Sequence, residues 1–491
     1  MNAYIELHAH SCFSLLDGAA TPEALLDRAV EIGMPALALT DHDGLYAAVR
    51  FALAAKERGI RPIIGAELTM LDETHLVLLA ENRVGYQNLC WLISRAQLSQ
   101  SKAHARLAWG DLSGHTDGLI ALSACKQGAV ATSLWRGARA EAERRAAELR
   151  ELFAPQCCYI ELQQHLHPED AALAEALAEV AHAVRLPLVA TNDVHYAQRS
   201  GRYLQDVLVA IRHTGTLQEC RRYLRSNSEY YLKAGAELAP LLAAWPQALE
   251  NTGAIAERCR LELDFRADAI PPAAAETQAE NAHLRELCWE GLPPRYPHDR
   301  AAAERQAEHE LEVITKTGLA GYFLLVWDIV RYAKERGIQV RGRGSAANSI
   351  VAYLLGITGV DPLAHGLLFE RFLSAEARVM PDIDLDFCSR RREEVVQYVY
   401  DKYGEEHVGM VCNYVTYRER SAVRDVGKAL GLPLETVDRL AKTLGKWGHG
   451  GQADEVAVEM GVLPQTWQHL CTLSAAIEGY PRHLSIHVGG M

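Results

Sequence analysis

The residues that could do chemistry fall into two groups. In the first, His8 and His10 flank Ala9, Asp41 stands beside His42, Glu67 lies in a GAEL sequence, and Asp193 and His195 flank Val194. Imidazole and carboxylate donors suit Zn, Mn or Fe, and alternate residues of an extended chain face one way, so the histidines of His-Ala-His share a face. Such residues converging from several strands would hold two or three ions, polarise a phosphoryl oxygen and generate hydroxide near neutral pH. Any one of these histidines alone reads as well as a hydrogen-bonded core or surface residue. Four histidines and three acids recurring at the same kind of place weigh against that for the set as a whole. His75 and Cys125 are further candidates, and His165 reads equally as a ligand or a solvated loop residue and is not assigned.

The second group begins at VRGRGSAANSIVAYLLG, where Gly342, Gly344 and Ser345 precede an apolar-periodic helix. Glycines let the backbone approach a ligand, and unpaired amides at a helix start favour an anion such as phosphate. The Gly-Lys-Ser/Thr of a Walker A loop is absent. A tight turn into a core helix accounts for the glycines equally well. MPDIDLDFC then alternates Asp382, Asp384 and Asp386 with Ile383 and Leu385. As a strand this places three carboxylates on one face, an unfavourable arrangement that two Mg²⁺ ions would relieve. A solvated acidic face balanced by Arg390, Arg391 and Arg392 is the bland alternative. A phosphate turn followed by a carboxylate strand is what nucleotidyl transfer requires, one ion activating a 3′-hydroxyl and the other holding a triphosphate.

The elements that must position these groups are legible in outline. Runs at Tyr4–Leu7, Ala36–Thr40, Pro62–Ile64, His75–Ala80, Leu119–Ser123, Cys158–Leu162 and Leu186–Thr191 alternate with helical stretches. Thr21 and Pro22 open one helix that Gly33 closes, and Tyr46–Arg58 is a second. Seven strands alternating with helices imply a parallel sheet closed into a barrel, with its site at the carboxyl ends of the strands. Residues 200–265 read as helical. A proline- and alanine-rich linker, DAIPPAAAETQAEN, follows over 268–282, and the chain is then α-rich up to Gln339 and again after Val411.

The chain has 491 residues, enough for about three domains at roughly 150 each, and its 49% hydrophobic and 23% charged residues exclude a disordered or collagen-like chain. No apolar run approaches the roughly 20 residues of a membrane span, and no signal peptide is visible, so a cytoplasmic protein without a membrane partner is expected. The eleven cysteines include no CxxC pair, which points to reduced thiols. A net charge of −13 argues against coating nucleic acid by bulk charge while leaving room for a local basic groove.

ELHAHSCFSLLDG, ALTDHDGL, GAEL and NDVHY resemble the motifs of the PHP (polymerase and histidinol phosphatase) domain, a distorted (β/α)7 barrel holding up to three metals. The resemblance implies metal ligation by His8, His10, Asp17, His42, Glu67, His75, Cys125, Asp193 and His195, with Zn²⁺ or Mn²⁺ as the ion. Asp17 and Cys125 stand where phosphatase members commonly have histidine. GYFLLVWDIV, GRGSAANS, GITGVDPL, LLFERFLS, PDIDLDF and SAVRDVGKALG resemble the palm of the bacterial C-family DNA polymerases, the DNA polymerase III α subunits, which is related to the polymerase β nucleotidyltransferases. That likeness implies an α/β chain with a PHP domain and helical extension over 1–267, the linker, a palm over 283–412, a helical thumb over 413–482 and a return to the palm over 483–491. It implies catalytic Asp382 and Asp384 holding Mg²⁺, with Gly344, Ser345 and Arg343 on the nucleotide. Arg371, Arg424 and Lys428 become phosphate or DNA contacts, or else members of a solvated face.

Implied substrates are primer-template DNA and dNTP. Implied partners are a sliding clamp and mutasome or replisome proteins. Ala346–Ser349, Ile383, RREEVVQY and YRERSA resemble the error-prone translesion branch more than the replicative one. A metal phosphoesterase or 3′ to 5′ exonuclease is the alternative of another class. The family's third catalytic aspartate, fingers, clamp-binding region and OB fold are not identifiable before Met491, so an amino-terminal fragment that does not polymerise efficiently is expected.

Overall fold

The computed structural model describes residues 4–99, 105–263, 277–374, 381–405, 407–447 and 452–491. The chain divides into two compact units, one of Met1–Leu263 with Cys412–Ser485 and one of Asp264–Val411 with Ile486–Met491.

The first unit is built on a curled sheet of β1 (Ala36–Leu39), β2 (Arg61–Thr69), β3 (His75–Ala80), β4 (Leu119–Leu122), β5 (Cys158–Leu162) and β6 (Leu188–Ala190), hydrogen-bonded in that order. The first expected strand, Tyr4–Leu7, is extended chain rather than an assigned strand, yet it does a strand's job. Ala38 and Thr40 donate backbone hydrogen bonds to Glu6 and Ala9, while His10 donates to Val194 and Val194 to His8. The segment Glu6–His10 therefore closes the sheet between β1 and β6.

The sheet is not all parallel. β1–β2, β4–β5 and β5–β6 are parallel pairs, whereas β3 runs against both β2 and β4. A parallel connection needs about a dozen residues or more. Only Met70–Thr74 join β2 to β3, so the chain must double back. β2 also continues past Ile64 to Thr69, which places Glu67 inside the strand rather than after it.

The helix Pro22–Glu31 starts as its caps dictate, with the Thr21 side chain accepting from the Ala24 amide and Pro22 at the first position. Leu25, Leu26 and Ala29 enter the barrel core beside Leu37, Phe51 and Ile63. Among the described residues of 200–265 the α-helices are Arg202–Arg212, Gly235–Leu238 and Pro246–Arg258. A second core in this unit joins Leu204, Val207 and Leu208 to Ala422, Val423 and Val426 of the helix Glu419–Ala429. β9 (Cys412–Thr416) pairs with β10 (Pro481–Ile486), two strands within a stretch expected to be helical and at its return.

In the second unit the helices Thr277–Arg295, Arg300–Thr317 and Ala320–Glu335 pack around Leu284, Leu311, Ile314 and Phe323. Residues 268–276 of the expected linker lie outside the described residues, and from Thr277 the chain is helical. β7 (Val340–Arg343) pairs antiparallel with β8 (Asp384–Phe387), with Arg343 opposite Asp384 and Gly342 opposite Leu385. Among the described residues no single helix is long and apolar enough to cross a membrane.

Candidate functional site

The barrel brings the first group of residues together around Glu67. His8 and His10 enter on the closing segment, their rings 5.1 Å apart, with Nε2 atoms 3.5 and 3.3 Å from Glu67 Oε2. His42 forms a parallel bridge with Glu67 and sets Nδ1 3.2 Å from the same oxygen. His75, at the start of β3, reaches the other oxygen at 2.9 Å, and the Cys125 thiol lies 3.7 Å from it. Asp193 follows β6 and approaches His10 at 3.4 Å and His195 at 3.5 Å. Asp17 comes in on a loop where Leu15 and Leu16 take left-handed φ of 36° and 65°. A Cβ on Gly18 would lie 2.1 Å from the Ser11 carbonyl oxygen, so only glycine lets this loop fold inward. Asp17 then stands 3.5 Å from both His42 and His195.

Three groups within the centre have donor atoms close enough to share an ion: His8, His10 and Asp193; His42, Glu67 and His75; and His10, His42 and His195. The donor chemistry fits divalent metal. His8 Nδ1 lies 2.7 Å from a Glu161 oxygen, which makes Nδ1 the protonated nitrogen and turns the Nε2 lone pair towards Glu67. The Nε2 atoms of His8 and His10 are buried without a hydrogen-bond partner. Lone pairs facing carboxylate oxygens need a cation between them.

The electrostatics agree. Burial disfavours an imidazolium at His10, but Asp193 and Glu67 outweigh it and raise that ring to about 9. Burial likewise opposes ionisation of Glu67, and His75, His42 and His8 outweigh it, holding the carboxyl well below the usual range. The pocket demands positive charge.

Sequence reasoning missed several participants. Glu161 faces His8 from β5, and Glu6 accepts from the His8 amide at 2.9 Å and from Asn192. Arg225 donates from its guanidinium to His195 Nε2 and lies over the Tyr230 ring at 4.0 Å. Arg212 pairs with Asp17 at 3.0 Å. Asp41, in contrast, turns from the centre and accepts from Ser11 and Ser14 at 2.6–2.8 Å. His165 stacks on Tyr230 and directs Nε2 to the Asn192 carbonyl.

In the second unit the glycine turn and the aspartate strand are neighbours. Gly344 has φ +72°, and a Cβ there would meet Asp384 Oδ2 at 3.9 Å. Gly342 has a different reason to be glycine: its Cβ would lie 2.6 Å from the Ile357 carbonyl oxygen. Ile383 and Leu385 pack on the core, Asp382 just before β8 is exposed, and within β8 Asp384 and Asp386 share the outer face. Arg343 spans that face, 3.6 Å from Asp384 and 3.2 Å from Asp386. Burial and then the charges of Asp382 and Asp384 raise the Tyr322 hydroxyl, whose oxygen accepts from the Ile383 amide.

The expectation of unpaired amides at the following helix fails. Buried Glu310 accepts from the Ile350 and Val351 amides at 3.0 and 3.2 Å and from the Ser349 hydroxyl at 2.7 Å, while Ser349 caps Ala352. The first amides of the helix Ile350–Leu354 are thus already met by an acid of the same unit. Any phosphate here must use the turn itself, Gly344–Asn348. Arg371 is exposed in this unit; in the other, Lys428 is exposed and Arg424 pairs with Asp438 at 3.1 Å.

Residues 6–165 match the family model of the PHP domain, and residues 282–491 match that of the bacterial DNA polymerase III alpha NTPase domain. Error-prone DNA polymerases from Symbiobacterium thermophilum and Mycobacterium bovis are 42% and 41% identical across the whole chain, covering 47% and 45% of their own lengths. The DNA polymerase III subunit alpha of Treponema pallidum is 36% identical over the whole chain and 44% of its length. The chain thus spans less than half the length of these relatives. It carries a PHP domain over residues 6–165 and a bacterial DNA polymerase III alpha NTPase domain over residues 282–491, and it is similar along its whole length to error-prone DNA polymerases of bacteria.

Proposed function

We propose that this chain supplies catalytic machinery of a DNA-directed DNA polymerase of the error-prone, translesion kind, which acts in damage-induced mutagenesis in the cytoplasm. The reaction is template-guided attack of a primer 3′-hydroxyl on a deoxynucleoside triphosphate, forming a phosphodiester and releasing pyrophosphate. The observation that carries this reading is the β7–β8 pair, which sets the Gly344 turn against Asp384, with Asp386 two residues along the same strand and exposed Asp382 two residues before it.

Asp382 and Asp384 are the residues to hold Mg²⁺, which when bound would lower the proton affinity of the primer hydroxyl and neutralise the departing pyrophosphate. Gly344 and Ser345 offer backbone donors to the triphosphate, and Arg343 exchanges its bonds to Asp384 and Asp386 for a phosphate. Arg371, Arg424 and Lys428 are candidate cations for the DNA backbone, Arg424 needing first to leave Asp438. In this reading residues 283–412 are palm and 413–482 thumb, and clamp or mutasome proteins join the working enzyme. Primer extension by the longest natural protein containing the chain tests it. Asp382→Asn together with Asp384→Asn abolishes extension at unchanged melting temperature, and persistent extension refutes the assignment.

The orphaned Nε2 atoms of His8 and His10 favour a second reading for the barrel, that of a metal centre with phosphoesterase or 3′ to 5′ exonuclease chemistry. His8, His10, Glu67 and Asp193 would hold one ion and Glu67, His42, His75 and Cys125 another, Zn²⁺ or Mn²⁺ by donor type. Release of 3′ nucleotides by the wild type and its loss in His8→Ala supports that chemistry. No release from the wild type makes the barrel structural.

A further inference from the structure

We infer that Arg225 is the resident cation on the His195 side of the barrel centre, so that the centre takes two divalent ions rather than three. The inference rests on the reading of the barrel as a metal centre. It concerns a residue that lies outside the nine-ligand set implied by the PHP resemblance.

His195 Nδ1 lies 2.8 Å from the Asp193 carbonyl oxygen, so Nδ1 carries the proton and Nε2 the lone pair with which His195 would ligate. That lone pair accepts the Arg225 guanidinium. The contrast with His8 and His10 is direct, because their Nε2 atoms face carboxylate oxygens of Glu67 and Asp193 at 3.3–3.8 Å without a directed hydrogen bond. On one side of the centre the imidazole nitrogens face acids; on the other the nitrogen faces a fixed positive group.

The acids repeat the contrast. Asp17, the carboxylate that approaches both His42 and His195, also receives Arg212 at 3.0 Å. Asp193 turns one oxygen towards His8 and His10 and the other towards Arg225 at 3.8 Å. Glu67, the hub of the other side, faces only imidazoles and the Cys125 thiol.

Arg225 is also held in place. Its guanidinium carbon sits 4.0 Å from the centroid of the Tyr230 ring, which stacks at 3.9 Å on His165, and the Arg225 backbone carbonyl accepts from Arg202 at 2.9 Å. A guanidinium stacked on an aromatic face loses little freedom in making its bonds, and it cannot shed its proton to admit a metal. A divalent ion on His195 would have to displace it or sit against a like charge.

The test is metal stoichiometry, read without any activity assay. The chain is prepared with Asp382→Asn and Asp384→Asn so that the palm acids contribute no ions, saturated with Mn²⁺, freed of loose ions, and its manganese counted per chain by mass spectrometry. Two ions are expected. Arg225→Ala and, as a second variant against loss of fold, Arg225→Gln take up a third, a 1.5-fold rise. Arg225→Lys, which keeps the charge, stays at two. Three ions in the chain with Arg225 intact overturn the inference and leave the metal reading standing, Arg225 then being free to meet an anion. Two ions in all folded variants overturn it as well. Absence of manganese throughout overturns the metal reading itself, and the inference with it.

Discussion

The barrel centre and the β7–β8 face both gather acids, and they are built in opposite ways. In the barrel, Glu67 and His8 are buried to within 1% exposure, and every acid at the centre already faces an imidazole or a guanidinium. On the palm, the side chains of Asp384 and Asp386 are 46% and 66% exposed, and Arg343 beside them is 61% exposed. A buried, mutually paired set is shaped before any ligand arrives, because each unmet charge there would be costly. An exposed set costs little to leave without partners, is screened by salt, and lets Arg343 change partners. The barrel centre is organised before any ligand binds, and the β7–β8 face is not.

The difference is sharpened first by metal removal. A site that binds ions only in the folded state adds about 4 kcal/mol when the free ion stands 1,000-fold above Kd. Chelation should therefore lower the melting transition of the barrel-containing unit by that order while the Asp382 and Asp384 substitutions leave melting unchanged. Equal insensitivity of both would erase the distinction.

A smaller effect is expected at Glu310, the buried acid that the palm unit does pair in advance. Glu310→Ala strips acceptors from two amides and a hydroxyl, a loss of about 3 kcal/mol in denaturant unfolding. Glu310→Gln keeps one oxygen and should lose less. If Ala and Gln behave alike, the carboxylate is not what anchors the helix after the turn.

Smallest of the three is Asp328, which ties the helix Ala320–Glu335 to Tyr398, Lys402 and Tyr403 of the helix Arg392–Tyr403. Burial opposes its charge, but Lys402, Tyr398, Arg331 and Tyr403 outweigh it and hold the carboxyl well below the usual range. The stabilisation is thus complete above the ordinary carboxylate pKa and is lost as pH falls towards the depressed one. Asp328→Asn should cost about 2 kcal/mol at neutral pH and flatten that acid limb. An unchanged limb would mean other carboxylates govern it.

Much of the barrel centre was legible because ligand types recurred beside β-rich runs, as at His8, His10, His42, Glu67, Asp193 and His195. Asp17 emerged only through the family resemblance, since no local pattern marks it. Asp41 shows the limit of adjacency: its neighbour His42 faces the centre while Asp41 binds Ser11 and Ser14. The reversal of β3 escaped because alternation carries no direction, although the short stretch Met70–Thr74 was a signal that it must turn back. Glu161, Arg225 and Glu310 act across 153, 30 and 40 residues of sequence, and nothing around them sets them apart from other charged residues. The alternation of Asp382, Asp384 and Asp386 was readable because β-pleating alone determines which way they face.

The central claim is that the Asp382–Asp384 face beside the Gly344 turn is where metal and triphosphate meet. Anomalous diffraction from crystals grown with Mn²⁺, primer-template and a non-hydrolysable dNTP tests it most directly. The account predicts manganese peaks bridging those two carboxylates and phosphate oxygens at the Gly344–Ser345 backbone. Triphosphate density elsewhere, with no peak on Asp382 or Asp384, would contradict it.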